Sequence, residues 1–244
     1  MNFLSYFFAI IFIIFSIGIP VQAEILQIDS NFDGKMDQWH HQTPENKLIK
    51  IEYDKNNDGK VDQVDVYEMR EKPFRVEIDR NNDGKWDQIQ RYSPEGNLTL
   101  IEKDQEYSGK FDLKEHYGPN QKIQKIEADQ NHDNAVDARQ FFDDNEKLKS
   151  AEFDTDNDSR FDRWEEYGPG ETLKSVAFDT NNDSKPDQWQ YFNAEKTLEK
   201  AGFDTNNNGK ADRWKFYDSN GKLVRIEMDR NNDGKIDFIR RQSK

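Results

Sequence analysis

Short runs in which apolar and polar side chains alternate recur along this chain every 25 residues. Two examples are Ile51-Glu52-Tyr53-Asp54 and Val76-Glu77-Ile78-Asp79. Alternation with a period of two over about five residues is typical of a β-strand. A second short run in each repeat ends near an aromatic residue, and turn-forming residues separate the two runs. Each repeat therefore predicts two antiparallel strands joined by a tight turn.

The same kinds of residue return at the same places in the repeat. The aromatic position holds Tyr67, Tyr92, Tyr117, Phe142, Tyr167, Phe192 and Tyr217. The turns are marked by Thr43-Pro44-Glu45-Asn46, Ser93-Pro94-Glu95-Gly96-Asn97, Gly118-Pro119-Asn120, Gly168-Pro169-Gly170 and Asp218-Ser219-Asn220-Gly221. The apolar ladders of the second strand are expected from Ile51, Val76, Ile101, Ile126, Val176 and Ile226 with Tyr53, Ile78, Phe153, Phe178, Phe203 and Met228.

A spacing kept this strictly indicates one structural unit stacked on copies of itself. We therefore expect an all-β fold in which tandem 25-residue β-hairpins form an elongated twisted meander or shallow solenoid of about eighteen strands. Residues 24–244 are expected to form a single repeat array.

An aspartate-rich loop joins each hairpin to the next and is the chemical signature of the chain. The loops open at Asp29, Asp54, Asp79, Asp104, Asp129, Asp154, Asp179, Asp204 and Asp229. Four of the nine loops, those opening at Asp29, Asp54, Asp79 and Asp229, read D-x-N-x-D-G-K-x-D without deviation. Counting the opening aspartate as position 1, position 6 is glycine in six loops, as expected where the backbone turns sharply.

Helices on both sides of each loop, as in a true EF-hand, are excluded by the spacing. A 12-residue loop leaves about 13 residues for two helices and a turn, and the turn formers lie in the middle of that stretch. Position 12 is also not a steady carboxylate, since it is for example His40, Gln90 and Lys215. Strands are the better prediction.

The loop composition suits a hard divalent cation. Calcium takes six to eight oxygen ligands from carboxylates, amides and backbone carbonyls in flexible geometry. Positions 1, 3 and 5 are expected to point inward, position 7 to offer its carbonyl, and position 9 is aspartate in every loop. The candidate calcium ligands are Asp29, Asn31, Asp33, Lys35, Asp37, Asp54, Asn56, Asp58, Lys60, Asp62, Asp79, Asn81, Asp83, Lys85, Asp87, Asp129, Asn131, Asp133, Asp137, Asp154, Asp156, Asp158, Asp162, Asp179, Asn181, Asp183, Asp187, Asp204, Asn206, Asn208, Asp212, Asp229, Asn231, Asp233, Lys235 and Asp237.

The loops are not expected to be equal. The loop at Asp104 carries Glu106 and Ser108 at positions 3 and 5, which makes it the poorest ligand set. A glutamate two residues before several loops, such as Glu52 or Glu127, is either an extra ligand or part of a solvated strand face. The alternative for the loop itself is an Asx-rich turn that binds nothing, because Asp, Asn and Gly also form ordinary turns.

The stretch D-x-N-x-D-G-K-x-D resembles the first nine positions of EF-hand-type calcium loops, which occur also in dockerins and thrombospondin type 3 repeats. The resemblance implies calcium as the ligand. Thrombospondin type 3 repeats share the aspartate at position 9, although their cysteines have no counterpart in this chain. The helices of dockerins do not fit the spacing. The hairpins, as in Trp214-Lys215-Phe216-Tyr217-Asp218, resemble MORN-type or YwqK-like repeats in part of their glycine pattern.

Composition adds a reason for bound cations. The chain of 244 residues has a net charge of −14 and only 33% apolar residues, which is close to the composition of disordered proteins. Cations in the loops would cancel charge and order the backbone together. The acidic surface argues against nucleic acid and anionic membranes as direct partners.

Residues 1–23 differ from the array because they carry no charged side chain and contain a long apolar run. They predict a signal peptide cleaved after Ala23, or alternatively an uncleaved membrane anchor. Either form places the array outside the cytoplasm, secreted or periplasmic. The chain has no cysteine, so a disulfide framework is excluded.

No catalytic constellation is recognisable, and the four histidines occupy unrelated repeat positions. Trp39, Trp164, Trp189 and Trp214 share one repeat position, where packing is a simpler explanation than a binding stripe. We expect a non-catalytic, calcium-binding structural or interaction module whose partner is another protein or a surface glycan. The alternative is a calcium buffer or sensor in which the loops are themselves the function.

Overall fold

The computed structural model describes residues 24–242. The expected signal peptide or anchor, residues 1–23, lies outside the described residues. The strands are β1 (Glu24–Ile28), β2 (Gln38–Gln42), β3 (Leu48–Tyr53), β4 (Gln63–Val66), β5 (Arg75–Ile78), β6 (Gln88–Tyr92), β7 (Leu98–Lys103), β8 (Leu113–Tyr117), β9 (Ile123–Ala128), β10 (Ala138–Phe142), β11 (Leu148–Phe153), β12 (Arg163–Gly168), β13 (Thr172–Phe178), β14 (Gln188–Phe192), β15 (Leu198–Phe203), β16 (Arg213–Tyr217), β17 (Leu223–Met228) and β18 (Phe238–Arg241).

Every strand pairs antiparallel with the strand that follows it in sequence. The result is one open sheet of 18 strands, which confirms the predicted all-β meander of hairpins. Between residues 24 and 242 the only helical segment is a single 3₁₀ turn, Pro169–Glu171, in the turn after β12. No described helix has the length and apolar character needed to cross a membrane.

One face of the sheet carries the predicted apolar ladder. Ile51 lies opposite His40 in β2 and Asp65 in β4, and Val76 lies opposite Asp65 and Gln90. Aliphatic residues of the second strands therefore alternate with polar position 12 residues of the first strands. The buried apolar side chains of the described chain are Ile51, Val64, Val76, Ile101, Ala138, Ala151, Val176 and Ala201.

The aromatic residue at position 14 packs on the same face and partners the polar residue of its own strand. The Tyr117 hydroxyl donates to Glu115 at 2.9 Å, and the Tyr167 hydroxyl donates to Glu165. Burial, together with these bonds to carboxylates, raises the pKa of both phenols to about 12. Each tyrosine hydroxyl thus supplies a hydrogen-bond donor to a glutamate carboxylate on the apolar face.

The opposite face explains the glutamates that precede the loops. Glu52 accepts from His41 at 2.6 Å and also pairs with Lys50, while Glu127 pairs with His116 at 2.7 Å and Lys125 at 3.0 Å. Each glutamate thus pairs with a histidine of the adjacent strand and with a lysine of its own strand. The strand-face interpretation therefore fits them better than a role as loop ligands.

The two long edges of the sheet, where the strands end, differ in chemistry. One edge carries the hairpin turns; in the turn after β10 the Asp143 carboxylate accepts from the amides of Asn145 and Lys147 at 2.8 and 3.0 Å. The other edge carries all nine aspartate-rich loops, because each loop connects the second strand of one hairpin to the first strand of the next. Meander topology thus lines the candidate sites up in a row.

Apolar burial is thin in this single-layer sheet, and charged groups fill much of the interior. Within residues 24–242 eight apolar side chains are buried, against fourteen polar or charged ones. Thirteen of those fourteen are loop aspartates at positions 1 or 9. The loop edge is therefore a structural part of the fold.

Candidate metal-binding loops

Two left-handed residues shape each loop. Position 4 has positive φ in all nine loops, for example 60° at Asn57. Position 6 also has positive φ in all nine, for example 88° at Gly59. The glycines of the sequence predicted the sharp turn at position 6, whereas the positive φ at position 4 was not predicted. The available signal was asparagine at position 4 in six loops, since Asn tolerates this conformation better than most residues.

The position 1 carboxylate lies at the centre of these turns. Asp54 Oδ2 accepts from the amide of Gly59 at 2.8 Å, and its Oδ1 accepts from the amide of Asp58 at 3.1 Å. Asn56 Oδ1 also accepts from Asp58 at 2.8 Å, and Asp58 Oδ1 accepts from the amide of Lys60 at 2.8 Å. The side-chain oxygens of positions 1, 3 and 5 therefore fold back over the loop and accept hydrogen bonds from its backbone amides.

The position 9 carboxylate has a different role. Asp87 is 1% exposed, and its Oδ2 accepts from the amides of Arg80 at 2.8 Å and Asn81 at 3.1 Å, at positions 2 and 3. Where position 2 is threonine, its hydroxyl adds a bond, as Thr180 does to Asp187 at 2.9 Å. Position 9 thus closes the start of the loop against its end.

Neighbouring loops are tied to one another. The amide of Asp79, which opens one loop, donates to the carbonyl of Asp62, which ends the loop before it, at 2.8 Å. Position 3 of one loop also bonds to position 4 of the next, as Asn131 does to Asn157 at 3.2 Å. A change in one loop is therefore transmitted to its neighbour through direct hydrogen bonds.

Two loops bring three carboxylates close together. In each group one oxygen from each of three residues lies within 4.8 Å of the others; the groups are Asp129, Asp133 and Asp137, and Asp154, Asp156 and Asp158. Carboxylate oxygens at this spacing are the ligands that calcium prefers. Most other loops carry asparagine at position 3, which offers an amide oxygen instead of a carboxylate.

The two acidic groups differ in their balance of charge. Asp129 Oδ1 is buried and accepts no hydrogen bond from any described residue, whereas the corresponding oxygen of Asp54 accepts one. In the second group the Arg160 guanidinium donates to Asp158 and lowers the pKa of that carboxyl. Among the loops of residues 24–242, the one opening at Asp129 therefore contains a buried position 1 oxygen without a donor.

The loop opening at Asp104 keeps the common hydrogen bonds without an aspartate at position 5. Asp104 Oδ1 accepts from the amide of Ser108 at 3.0 Å, and Asp104 Oδ2 accepts from the amide of Gly109 at 2.6 Å. Ser108 Oγ takes the place of the position 5 carboxylate and accepts from the amide of Lys110 at 3.2 Å. The hydrogen bonds of the loop therefore do not require an aspartate at position 5. What varies between the loops is the number of charged oxygens available to a cation.

Other candidate residues lie where the repeat places them. Lys35, Lys60, Lys85 and Lys235 donate their position 7 amides to the position 5 aspartates at 2.8–2.9 Å. His40 and His41 have separate partners, Gln38 at 3.2 Å and Glu52 at 2.6 Å, so they do not form a joint site.

The tryptophan row of the sequence analysis lies on the face of the sheet. Trp164, Trp189 and Trp214 are half-buried and alternate with Ala177 and Gly202 in the strand register. The Trp214 ring lies so close over Gly202 that a Cβ added there would be 2.7 Å from Cζ3. Packing on small residues of the neighbouring strands accounts for Trp164, Trp189 and Trp214, whereas Trp39 lies opposite Gln27 and Glu52.

Comparison with known proteins gives no family for this chain. No family model matches it, and no curated protein matches it. Among solved structures, it has 12% identity and a TM-score of 0.25 to the TcdB2-TccC3-Cdc42 complex, over 83% of this chain and 12% of that one. For the GtfA/B complex bound to UDP and GlcNAc the values are 12% and 0.19, over 55% and 23%. For accessory secretory protein 1,2 and 3 of Streptococcus pneumoniae they are 16% and 0.15, over 64% and 20%. The chain spans less than a quarter of each of these chains, and the low TM-scores carry no argument.

Proposed function

We propose that this chain is a calcium-binding repeat protein located outside the cytoplasm, secreted or periplasmic, and that it is a non-catalytic structural or interaction module. Each aspartate-rich loop takes one ion, with side-chain oxygens of positions 1, 3 and 5 as the principal ligands. In the loop opening at Asp129, the position 9 carboxylate of Asp137 joins this set. The observation that carries the proposal is the convergence of three carboxylates to within 4.8 Å in the loops opening at Asp129 and Asp154.

Electrostatics supports a cation at these loops. Carboxylates crowded along one edge repel one another, and the chain as a whole carries a net charge of −14. Backbone amides neutralise part of this charge, yet the buried Oδ1 of Asp129 receives no donor. A divalent ion satisfies such an oxygen and removes the repulsion. Hard oxygen ligands in a flexible loop favour calcium over a softer metal.

The energetic need for ions follows from the thin apolar core. Extracellular calcium modules bind with dissociation constants of about 0.1–1 mM. At a free concentration about ten times the dissociation constant, each site adds about 1.4 kcal/mol. Nine sites together reach an order of 10 kcal/mol, comparable to the whole stability of an ordinary domain. Calcium is thus expected to decide whether the array is folded.

A buffer or sensor is the second candidate function. The observation that favours it is the direct hydrogen bonding between loops, such as Asp79 to Asp62 at 2.8 Å. Coupled loops would bind ions cooperatively, and a cooperative array responds sharply to concentration. Tight, cooperative binding with a large conformational change would favour the sensor, and weak, independent binding would favour the structural module. The partner of such a module is another protein or a surface glycan.

The test is a count of bound calcium ions in variants matched for charge. Asp154→Asn with Asp156→Asn removes two carboxylates from one acidic loop. Asp143→Asn with Asp144→Asn removes two exposed carboxylates from the turn edge of the preceding hairpin. Calorimetric titration is expected to give one ion fewer for the loop variant and an unchanged count for the turn variant. No measurable binding by the unmodified chain, or an equal loss in both variants, would overturn the proposal.

A further inference from the structure

The first and last strands of the described chain are the two halves of one hairpin. In every complete hairpin a strand that follows a loop pairs with a strand that precedes the next loop, as β16 does with β17. The first strand, β1, is of the preceding kind and β18 is of the following kind. Within residues 24–242 each of them pairs on one side only, β1 with β2 and β18 with β17.

Both terminal strands expose apolar side chains that the interior repeats cover. Leu26 is 51% exposed, whereas Ile51, at the same repeat position, is 6% exposed. At the other end Ile239 is 53% exposed, whereas Val64, at its repeat position, is 7% exposed. Ile25 is also 51% exposed. Elsewhere in the sheet a neighbouring strand buries these positions. Within residues 24–242 the outer sides of β1 and β18 have no such neighbour.

The repeat register shows which residues of two copies would meet. The hairpin pairings Arg213–Met228 and Lys215–Ile226 place Phe238 opposite Ile28 of a second copy and Arg240 opposite Leu26. Glu24 of that copy then lies diagonal to Arg240 on the same face, within reach of a long side chain. Apolar contact and opposite charge both favour this pairing. The loops continue their row across the junction without a change of spacing.

We infer that copies of this chain associate head to tail, with the outer edge of β18 in one copy pairing with the outer edge of β1 in the next. The occupant of each edge is a second copy of the same chain, because this repeat offers the complementary half of the hairpin in the register of β16 and β17. The sheet is open, so the contact is heterologous and extends into a filament-like array instead of closing. This inference does not depend on the identity of the ion in the loops.

Sedimentation velocity of the 244-residue chain in calcium, over a range of concentrations, tests the inference. The unmodified chain is expected to form species larger than one copy, increasing with concentration. Leu26→Glu and Ile239→Glu each place a charge on one terminal strand, and neither variant is expected to assemble on its own. Met69→Glu is the matched control, because Met69 is 61% exposed in the turn after β4, away from the terminal strands. Circular dichroism checks that each variant keeps its β signal.

Mixing the variants separates a head-to-tail contact from other kinds of association. Leu26→Glu retains an intact β18 edge, and Ile239→Glu retains an intact β1 edge. Each variant alone is therefore expected to be monomeric, while an equimolar mixture forms pairs and nothing longer. A monomeric unmodified chain at every concentration would overturn the inference. So would assembly that Met69→Glu disrupts as strongly as the terminal variants, or a mixture that stays monomeric while the unmodified chain assembles.

Discussion

Replacing Asp87 with alanine tests whether position 9 holds the loop together or binds the ion directly. The Asp87 carboxylate is 1% exposed and accepts from the amides of Arg80 and Asn81 at 2.8 and 3.1 Å. Its removal leaves two amides without an acceptor, at a net cost of about 1 kcal/mol each. We expect a local destabilisation of about 2 kcal/mol. Because 1.4 kcal/mol corresponds to a factor of ten, hydrogen-exchange protection of those amides should fall about 30-fold.

The matched change is Asp83→Ala at position 5 of the same loop. Asp83 is exposed and accepts from the amide of Lys85 at 2.9 Å and from the side chain of Asn81 at 3.2 Å. At saturating calcium, Asp87→Ala is expected to keep the number of bound ions while losing amide protection. Asp83→Ala is expected to lose one ion. Hydrogen exchange suits a repeat array better than a single unfolding midpoint, because repeats open locally. An Asp87→Ala variant that loses an ion and keeps its protection would refute the structural role of position 9.

Three further predictions concern the sheet and the loop backbone. Hydrogen bonds from a lysine and a histidine outweigh burial and lower the pKa of Glu127 below its ordinary 4.5. The ionised Glu127 carboxylate therefore stabilises the fold fully above pH 4.5, and this stabilisation is lost as the pH falls through the lowered pKa. Glu127→Gln should make the urea midpoint depend less on pH in the acid range. Gly202→Ala should cost about 1–3 kcal/mol, because a Cβ there meets the Trp214 ring at 2.7 Å. Gly118→Ala meets the movable side chains of Gln124 and Asn120 and should cost less in a thermal melt. Ser184→Gly should raise the melting temperature, with a gain of about 0.5–1 kcal/mol, because position 6 has a φ of 66°.

The strands were predictable because the same alternating pattern recurs along the chain with each of the nine loops. Alternation in Ile51-Glu52-Tyr53 and the turn formers after each aromatic residue specified the hairpins, and β3, Leu48–Tyr53, follows that prediction. The pairing order was also predictable, since short turns force sequential strands together. A period of two shows which residues of a strand share a face of the sheet, but not which side chains of other strands that face contacts. The ion pairs of Glu52 and Glu127 and their place on the face opposite Ile51 therefore required the three-dimensional register.

The loops were predictable in composition and less so in the division of labour. Positions 1 and 9 are both aspartate in every loop, and the sequence treats them alike. Only geometry separates them, because Asp54 accepts from amides that follow it and Asp62 accepts from amides that precede it. The turn after β4 also departs from the others, with Glu68 and Met69 both left-handed where no glycine signals it.

The central claim is that calcium in the loops holds this thin sheet together. A thermal melt of the chain followed by circular dichroism, first in calcium and then in chelator, tests it most directly. We predict a strong β signal with a high melting temperature in calcium, and loss of most of that signal in chelator. A β signal and a melting temperature that do not change between the two conditions would contradict the claim and leave the loops as hydrogen-bonded turns.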